Sequence, residues 1–229
     1  MMLFKQLLSS AVGLALVACG PSINPQTKAR VDAWRGALKT SEQVFHQAGV
    51  ARPAVESGQW AEYLEVDGKG QPAKVVYKIV GREGDAIWLE TERTSYLDHS
   101  VAKMLLEVPS WQSPEGWVFR RMIMQKDNEP AQEMPPFVMT MMGKPMLAAL
   151  RFEVQAKDPQ TVTVPAGVFQ GAVASRSSTE ILGLGRVETV TWVHGRLPIT
   201  GMVKRESADG KYRIELTAFG VNGAESAIP

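Results

Sequence analysis

The 229-residue chain contains one cysteine and three histidines, and its charges nearly balance. A single thiol forms no internal disulfide, even in an oxidising compartment that would permit one. The 25 basic and 24 acidic side chains leave a formal net charge of +1. Because binding to nucleic acid or to anionic bilayers usually needs a clear excess of positive charge, we expect no nucleic-acid partner.

Signatures of catalysis and metal binding are also missing. His46, His99 and His194 lie far apart, and none occurs in a spacing that would preorganise a metal site. The chain lacks the Gly-x-Ser-x-Gly motif of many hydrolases. Gly183–Arg186 lacks the lysine of a phosphate-binding loop, so we interpret it as a hairpin bend. The sequence thus predicts a non-enzymatic protein with no metal and no cofactor. An enzyme with an unusual site is a less favoured alternative.

Residues 1–18 have the features of an export signal. Lys5 is followed by the apolar run Leu7–Val17 and then by small residues. This run is too short to cross a bilayer as a helix, which takes about 20 residues. One interpretation is an ordinary secretory peptide in which Cys19 is incidental.

The stretch Leu16-Val17-Ala18-Cys19 supports a second interpretation, because it resembles the bacterial lipobox. The resemblance implies that Cys19 becomes the first residue of the mature chain and carries acyl chains, which together hold a protein stably on a membrane. Gly20 replaces the aspartate associated with retention in the inner membrane. We therefore expect a cell-envelope protein anchored to the membrane through lipidated Cys19, in the outer membrane where the source has one.

We interpret residues 19–27 as the lipidated cysteine with a polar tether, and the remainder, 28–229, as one domain. Apolar residues then recur at helical spacing up to about Gln47, which predicts an amphipathic helix that ends near Gly49 and lies on a sheet. These residues are Val31, Trp34, Leu38 and Phe45.

From residue 60 to 221 the apolar pattern alternates with the period of a strand. Val75, Tyr77 and Ile79 fall on one face, opposite Lys74 and Lys78. The Asp-Gly pairs at 67–68 and 209–210 favour tight hairpins, and no helical crossovers separate the strands. The same alternation places Glu90 and Glu92 on a solvated outer face.

The middle of the chain is rich in methionine. Seven of the nine methionines of the mature chain lie between Met122 and Met146, interrupted by prolines that prevent one regular element. Methionine suits both irregular core gaps and surfaces that accept varied apolar partners. The segment is therefore either a core plug or a lid that contacts a ligand. The candidate apolar-ligand contacts are Met134, Phe137, Met139, Met141, Met142 and Met146.

Taken together, these patterns predict a mainly-β α+β fold. A single large, curved antiparallel sheet forms an open half-barrel, covered by an N-terminal helix and by the Met-rich segment.

Several longer motifs carry a family resemblance. "GQWAEYLEVDGKGQPAKVVYKIVGREGDAIWLE", "VTVPAGVFQGAVA", "LPITGMVKRE" and "DGKYRIELTAFG" resemble a group of uncharacterised bacterial envelope lipoproteins. That group is similar to the LolA/LolB-type lipoprotein-carrier fold. The resemblance implies a LolA/LolB-like domain over 28–229, an open half-barrel whose helices cover an apolar cavity. LolB-type acceptors use an exposed apolar loop and LolA-type carriers an arginine latch. We align neither feature with this chain residue by residue, so no carrier residue is transferred.

Two functions fit these expectations. The first is a membrane-anchored periplasmic lipoprotein that binds an apolar ligand (a lipid, an acyl chain or a lipoprotein) in the half-barrel cavity. The second is a non-enzymatic interaction subunit of a cell-envelope complex, such as one for motility, secretion or surface assembly.

Replacing the cysteine tests the anchor. In the Cys19→Ala variant the thiol that would receive the lipid is missing, so we expect loss of metabolic acyl labelling and accumulation of an unprocessed or mislocalised chain. Labelling with radioactive fatty acid and fractionation of the cell envelope measure both. Labelling equal to that of the unaltered chain would refute the lipid assignment.

Overall fold

The computed structural model describes residues 22–46, 54–108, 117–137, 139, 158–181 and 185–229. Within these residues the chain forms one fully described helix and twelve strands, and residues 136, 137 and 139 are also helical. The helix α1 spans Pro25–Ala37, and the strands are β1 Val44–His46, β2 Trp60–Val66, β3 Pro72–Glu83, β4 Ala86–Ser95, β5 His99–Glu107, β6 Val118–Lys126, β7 Gln132–Glu133, β8 Pro159–Val164, β9 Gly167–Ile181, β10 Gly185–Val193, β11 Met202–Ser207 and β12 Arg213–Gly220.

All twelve strands belong to one open sheet, in the order β1-β9-β10-β11-β12-β2-β3-β4-β5-β6-β7, with β8 paired to β9. Strands β2 to β7 form an antiparallel meander, and β12 pairs with β2 to join the C-terminal strands to it. The pairing of β1 with β9 is parallel. The predicted mainly-β fold with one large antiparallel sheet and an N-terminal helix is therefore confirmed.

Alternation along the strands separates two faces. Tyr63, Val75, Ile79 and Leu89 point to the face that we call the inner face, and each is at most 3% exposed. Two apolar clusters lie there, and the half-buried Tyr77 packs against both. The first cluster comprises Ala61, Tyr63, Val75, Val162, Val164, Ala166, Phe169, Ala172, Leu197, Met202, Val203, Ile214 and Leu216. The second comprises Ile79, Ile87, Leu89, Met104, Leu106, Trp117, Met122 and Ile199.

The first cluster is covered by the chain folding back over its own sheet. Strand β8 contacts β11 and β12, and the Ala166 N–H donates to the Leu216 carbonyl at 3.1 Å. Phe169 is fully buried in this return and stacks on Phe45 at a centroid distance of 4.7 Å. Gly171, at a φ of 84°, lies where the register of β8 against β9 shifts.

Helix α1 lies on the opposite, outer face, against β3 and β4. The Asn24 side chain caps it by accepting from the N–H groups of Gln26 and Thr27, and Val31 is its most buried side chain. None of the described helices is long and apolar enough to cross a membrane. The half-barrel resemblance implied helices over the apolar cavity, but α1 covers the face opposite both apolar clusters.

The helix is shorter than the sequence predicts. It begins at Pro25, inside the expected tether, and ends at Ala37 because Leu38 adopts an extended conformation with ψ 128°. The predicted helix end near Gly49 is wrong, since Phe45 lies in the parallel strand β1. Phe45 shares the helical spacing of Val31, but its stacking on Phe169 and its pairing with β9 place it in a strand.

Glu90 also departs from its predicted solvated position. It is 0% exposed. It accepts from Lys78 Nζ at 3.2 Å, from Ser226 Oγ at 2.7 Å and from the Ala227 N–H at 3.0 Å. The chain after β12 thus crosses the outer face and donates hydrogen bonds to the buried carboxylate of Glu90. The prediction failed because the alternation within β4 carries no information about that distant segment.

The return of β9 depends on Gly167, which gives a stability prediction. Its φ is +141°, and a Cβ there would lie 2.6 Å from the Gln43 carbonyl oxygen and 2.9 Å from the Phe45 ring. We expect Gly167→Ala to lower the free energy of unfolding, measured by urea denaturation, by about 1–3 kcal/mol through backbone strain, with the clash added. The control, Gly36→Ala, adds its methyl where nothing lies within 4 Å and should be neutral or stabilising by up to about 1 kcal/mol. Equal stability of the two variants would contradict this account.

Candidate functional site

The second apolar cluster is bordered by a short segment that includes two of the candidate methionines, Met134 directly after β7 and Met139 in helical chain. Met134 and Met139 are partly buried and pack against this cluster. The Met134 N–H donates to the Met122 carbonyl at 2.8 Å, and the Met139 N–H donates to the Pro135 carbonyl at 3.2 Å. At these two positions the segment packs on the core.

Phe137, between those methionines, points away from the core. It is 71% exposed, more than any other described large hydrophobic residue. We call Met134, Phe137 and Met139 the apolar rim, because together they form the border of the second cluster. The other candidates, Met141, Met142 and Met146, lie outside the described residues, as does Cys19.

The inner face becomes polar towards the end of β2 and β4. Arg93 donates to both carboxylate oxygens of Glu65 at 3.4 Å, and Arg205 donates to Thr191 Oγ1 at 2.9 Å. Burial is the main cause that raises the pKa of Tyr77, so its phenol stays protonated at neutral pH. The described inner face is therefore apolar over the second cluster and charged beyond Tyr77.

A separate cleft of about 350 Å³ lies on the outer face, between the helix and the sheet. We call it the α1 cleft. It is lined by Arg30, Val31, Ala33, Trp34, Lys74 and Thr94.

Glu62 on β2 organises one wall of the α1 cleft. Its carboxylate accepts from Trp34 Nε1 at 3.1 Å and from Thr217 Oγ1 at 2.8 Å, and it pairs with Lys74 Nζ at 2.6 Å. Lys74 Nζ also lies 5.5 Å from the centroid of the Trp34 ring. These four side chains come from α1, β2, β3 and β12. Sequence reasoning missed the cleft because it registered Trp34 only as one apolar position of a helix.

The histidines occupy structural positions. His194 is buried, with Nε2 3.2 Å from the Gln170 carbonyl, and desolvation lowers the pKa of its imidazole. His99 Nδ1 lies 3.0 Å from Thr94 Oγ1. Among the described residues no three His, Cys, Asp or Glu side chains cluster in a way that could hold a metal ion. The absence of enzyme activity stays a prediction.

Comparison with known proteins assigns no family. No protein-family model matches the chain, and no curated protein matches its sequence. Among solved structures it is similar to a Bacteroides fragilis protein that is presumed to be exported and is described as having a YmcC-like fold. The likeness covers 75% of this chain and 100% of that chain, at 10% identity and a TM-score of 0.35. At these values it supports no inference about ligand, partner or family for this chain.

Proposed function

We propose that this protein is a lipid-anchored cell-envelope protein, similar in role to LolA/LolB-type carriers, that binds an acyl chain of a lipid or lipoprotein at the apolar rim. One observation carries the proposal. Phe137 is 71% exposed although the methionines on both sides of it pack on a large apolar cluster.

A single exposed hydrophobic residue needs no explanation. This one lies beside two flexible, polarizable side chains that can adapt to an apolar partner. Fully burying a phenylalanine contributes about 1.5–3 kcal/mol, so an acyl chain against Phe137 gains affinity without opening the first cluster. The site differs from the half-barrel cavity expected from the sequence, because it lies at the border of the cluster.

The different elements that cover the two apolar clusters also support the rim as the binding site. Strands β8 and β9, paired with one bulge at Gly171, cover the first cluster. At the rim, the Met134 N–H donates to the Met122 carbonyl and the Met139 N–H donates to the Pro135 carbonyl. A ligand that displaces the Met139 side chain replaces the contacts of this methionine with the second cluster by contacts of its own acyl chain.

The second candidate, an interaction subunit of an envelope complex, has one observation in its favour. Four residue pairs of the β9–β10 hairpin, 178–181 with 185–188, lie beyond the last pair that β10 forms with β11. They extend about 13 Å past that neighbour at the rise of an antiparallel strand. A stoichiometric protein partner recovered by crosslinking in intact membranes, with no bound lipid, would favour this candidate.

A binding titration separates the two. We expect residues 20–229, prepared without the lipid, to enhance the emission of an anthroyloxy-labelled fatty acid in a saturable way. Phe137→Ser should weaken this binding by a factor between about 10 and about 150, because it removes an apolar contact of about 1.5–3 kcal/mol.

The matched control is Val221→Ser, which changes another exposed apolar residue, 59% exposed and not part of the rim. It should bind as the unaltered chain does. No saturable binding, or equal losses in both variants, would rule out the rim as an acyl-chain site.

A further inference from the structure

We infer that the α1 cleft is a second binding site, which takes the phosphate-bearing headgroup of an anionic glycerophospholipid. Small-ligand sites in proteins occupy about 300–1,000 Å³. The cleft, at about 350 Å³, is large enough for a glycerophosphate group. Val31 and Thr94, both nearly fully buried, form part of its lining.

The charge of the cleft selects an anion. Arg30 has no ion-pair or hydrogen-bond partner in the part of the chain that the structure describes, and it lines the opening. Lys74 is 33% exposed although it pairs with Glu62. Two of the residues that line the cleft are cations and none is a carboxylate, and Glu62 pairs with Lys74 rather than with Arg30. Guanidinium groups bind phosphate oxygens through paired N–H donors, so Arg30 is the principal ligand.

The wall of the cleft that Trp34 and Lys74 form is held in position before any ligand binds. Glu62 bonds Trp34 and Lys74 at the same time, and Thr217 fixes the carboxylate from β12. Neither the indole nor the ammonium needs to be reoriented on binding, which lowers the entropic cost of association. The indole provides an apolar surface for glycerol carbons beside the two cations.

The place of the cleft in the chain favours a lipid as the source of the phosphate. Helix α1 begins six residues after Cys19, so the intervening chain spans at most about 20 Å. A lipidated Cys19 would keep the start of α1 within that reach of the bilayer surface, and Arg30 lies five residues further along the helix, about 8 Å from its start. This last step rests on the anchor proposed above, whereas the anion site rests only on the contacts of the cleft.

Calorimetric titration of the processed protein in non-ionic detergent, whether or not it carries a lipid, tests the site. The probes are glycerol 3-phosphate, inorganic phosphate and glycerol, all of which stay in the aqueous phase. We expect saturable binding of glycerol 3-phosphate, weaker binding of inorganic phosphate and no binding of glycerol. Arg30→Gln should weaken glycerol 3-phosphate binding about tenfold or more, as expected for loss of a charge-assisted bond. Arg30→Lys should restore part of it.

The matched control is Arg35→Gln, which removes the same charge from the same helix but outside the cleft lining. It should leave the dissociation constant unchanged. Equal weakening by both glutamine variants would reduce the effect to general electrostatics and overturn the site, as would absence of saturable binding. Equal affinity for inorganic phosphate would overturn the assignment to a lipid headgroup. None of these results depends on acyl labelling of Cys19 or on fatty-acid binding at the rim, so the proposals fail separately.

Discussion

A single β-sheet has two faces, and the folding of this protein depends on covering the apolar parts of both with its own chain. On the inner face the chain turns at Gly167 and returns as β9, which brings Phe169 under Phe45 and closes the first cluster. On the outer face, helix α1 and the segment after β12 cover the sheet, and that segment donates hydrogen bonds to the buried carboxylate of Glu90. Without these covers the sheet would expose its apolar side to water.

The two clusters of the inner face are covered by different elements. Paired strands cover the first cluster, whereas the described cover of the second includes the short segment after β7, with Met134 and the helical residue Met139. The exposed Phe137 marks that border on the inner face. On the outer face the α1 cleft lies between the helix and the sheet, with Trp34 and Lys74 fixed on one wall by Glu62.

Local patterns predicted much of this architecture. The alternation of Val75 with Lys74 and the Asp-Gly pair at 209–210 gave the correct strands and hairpin, because both depend on neighbours in sequence. Features set by distant segments were not predictable in this way. Phe45 becomes a strand residue through β9, and Glu90 is buried by residues 136 positions away. The wall of the α1 cleft likewise needs Thr217, 155 positions from Glu62.

The central claim is that an acyl chain binds at the rim of the second cluster while the first cluster stays closed. Amide hydrogen exchange with and without saturating oleate tests it most directly, because each region has a reporter amide. Met134 and Met139 donate to Met122 and Pro135 at the rim, and Ala166 donates to Leu216 in the strand return. The account predicts that oleate changes exchange at Met134 and Met139 and leaves Ala166 unchanged. Unchanged exchange at the rim, or an equal change at all three amides, would contradict it.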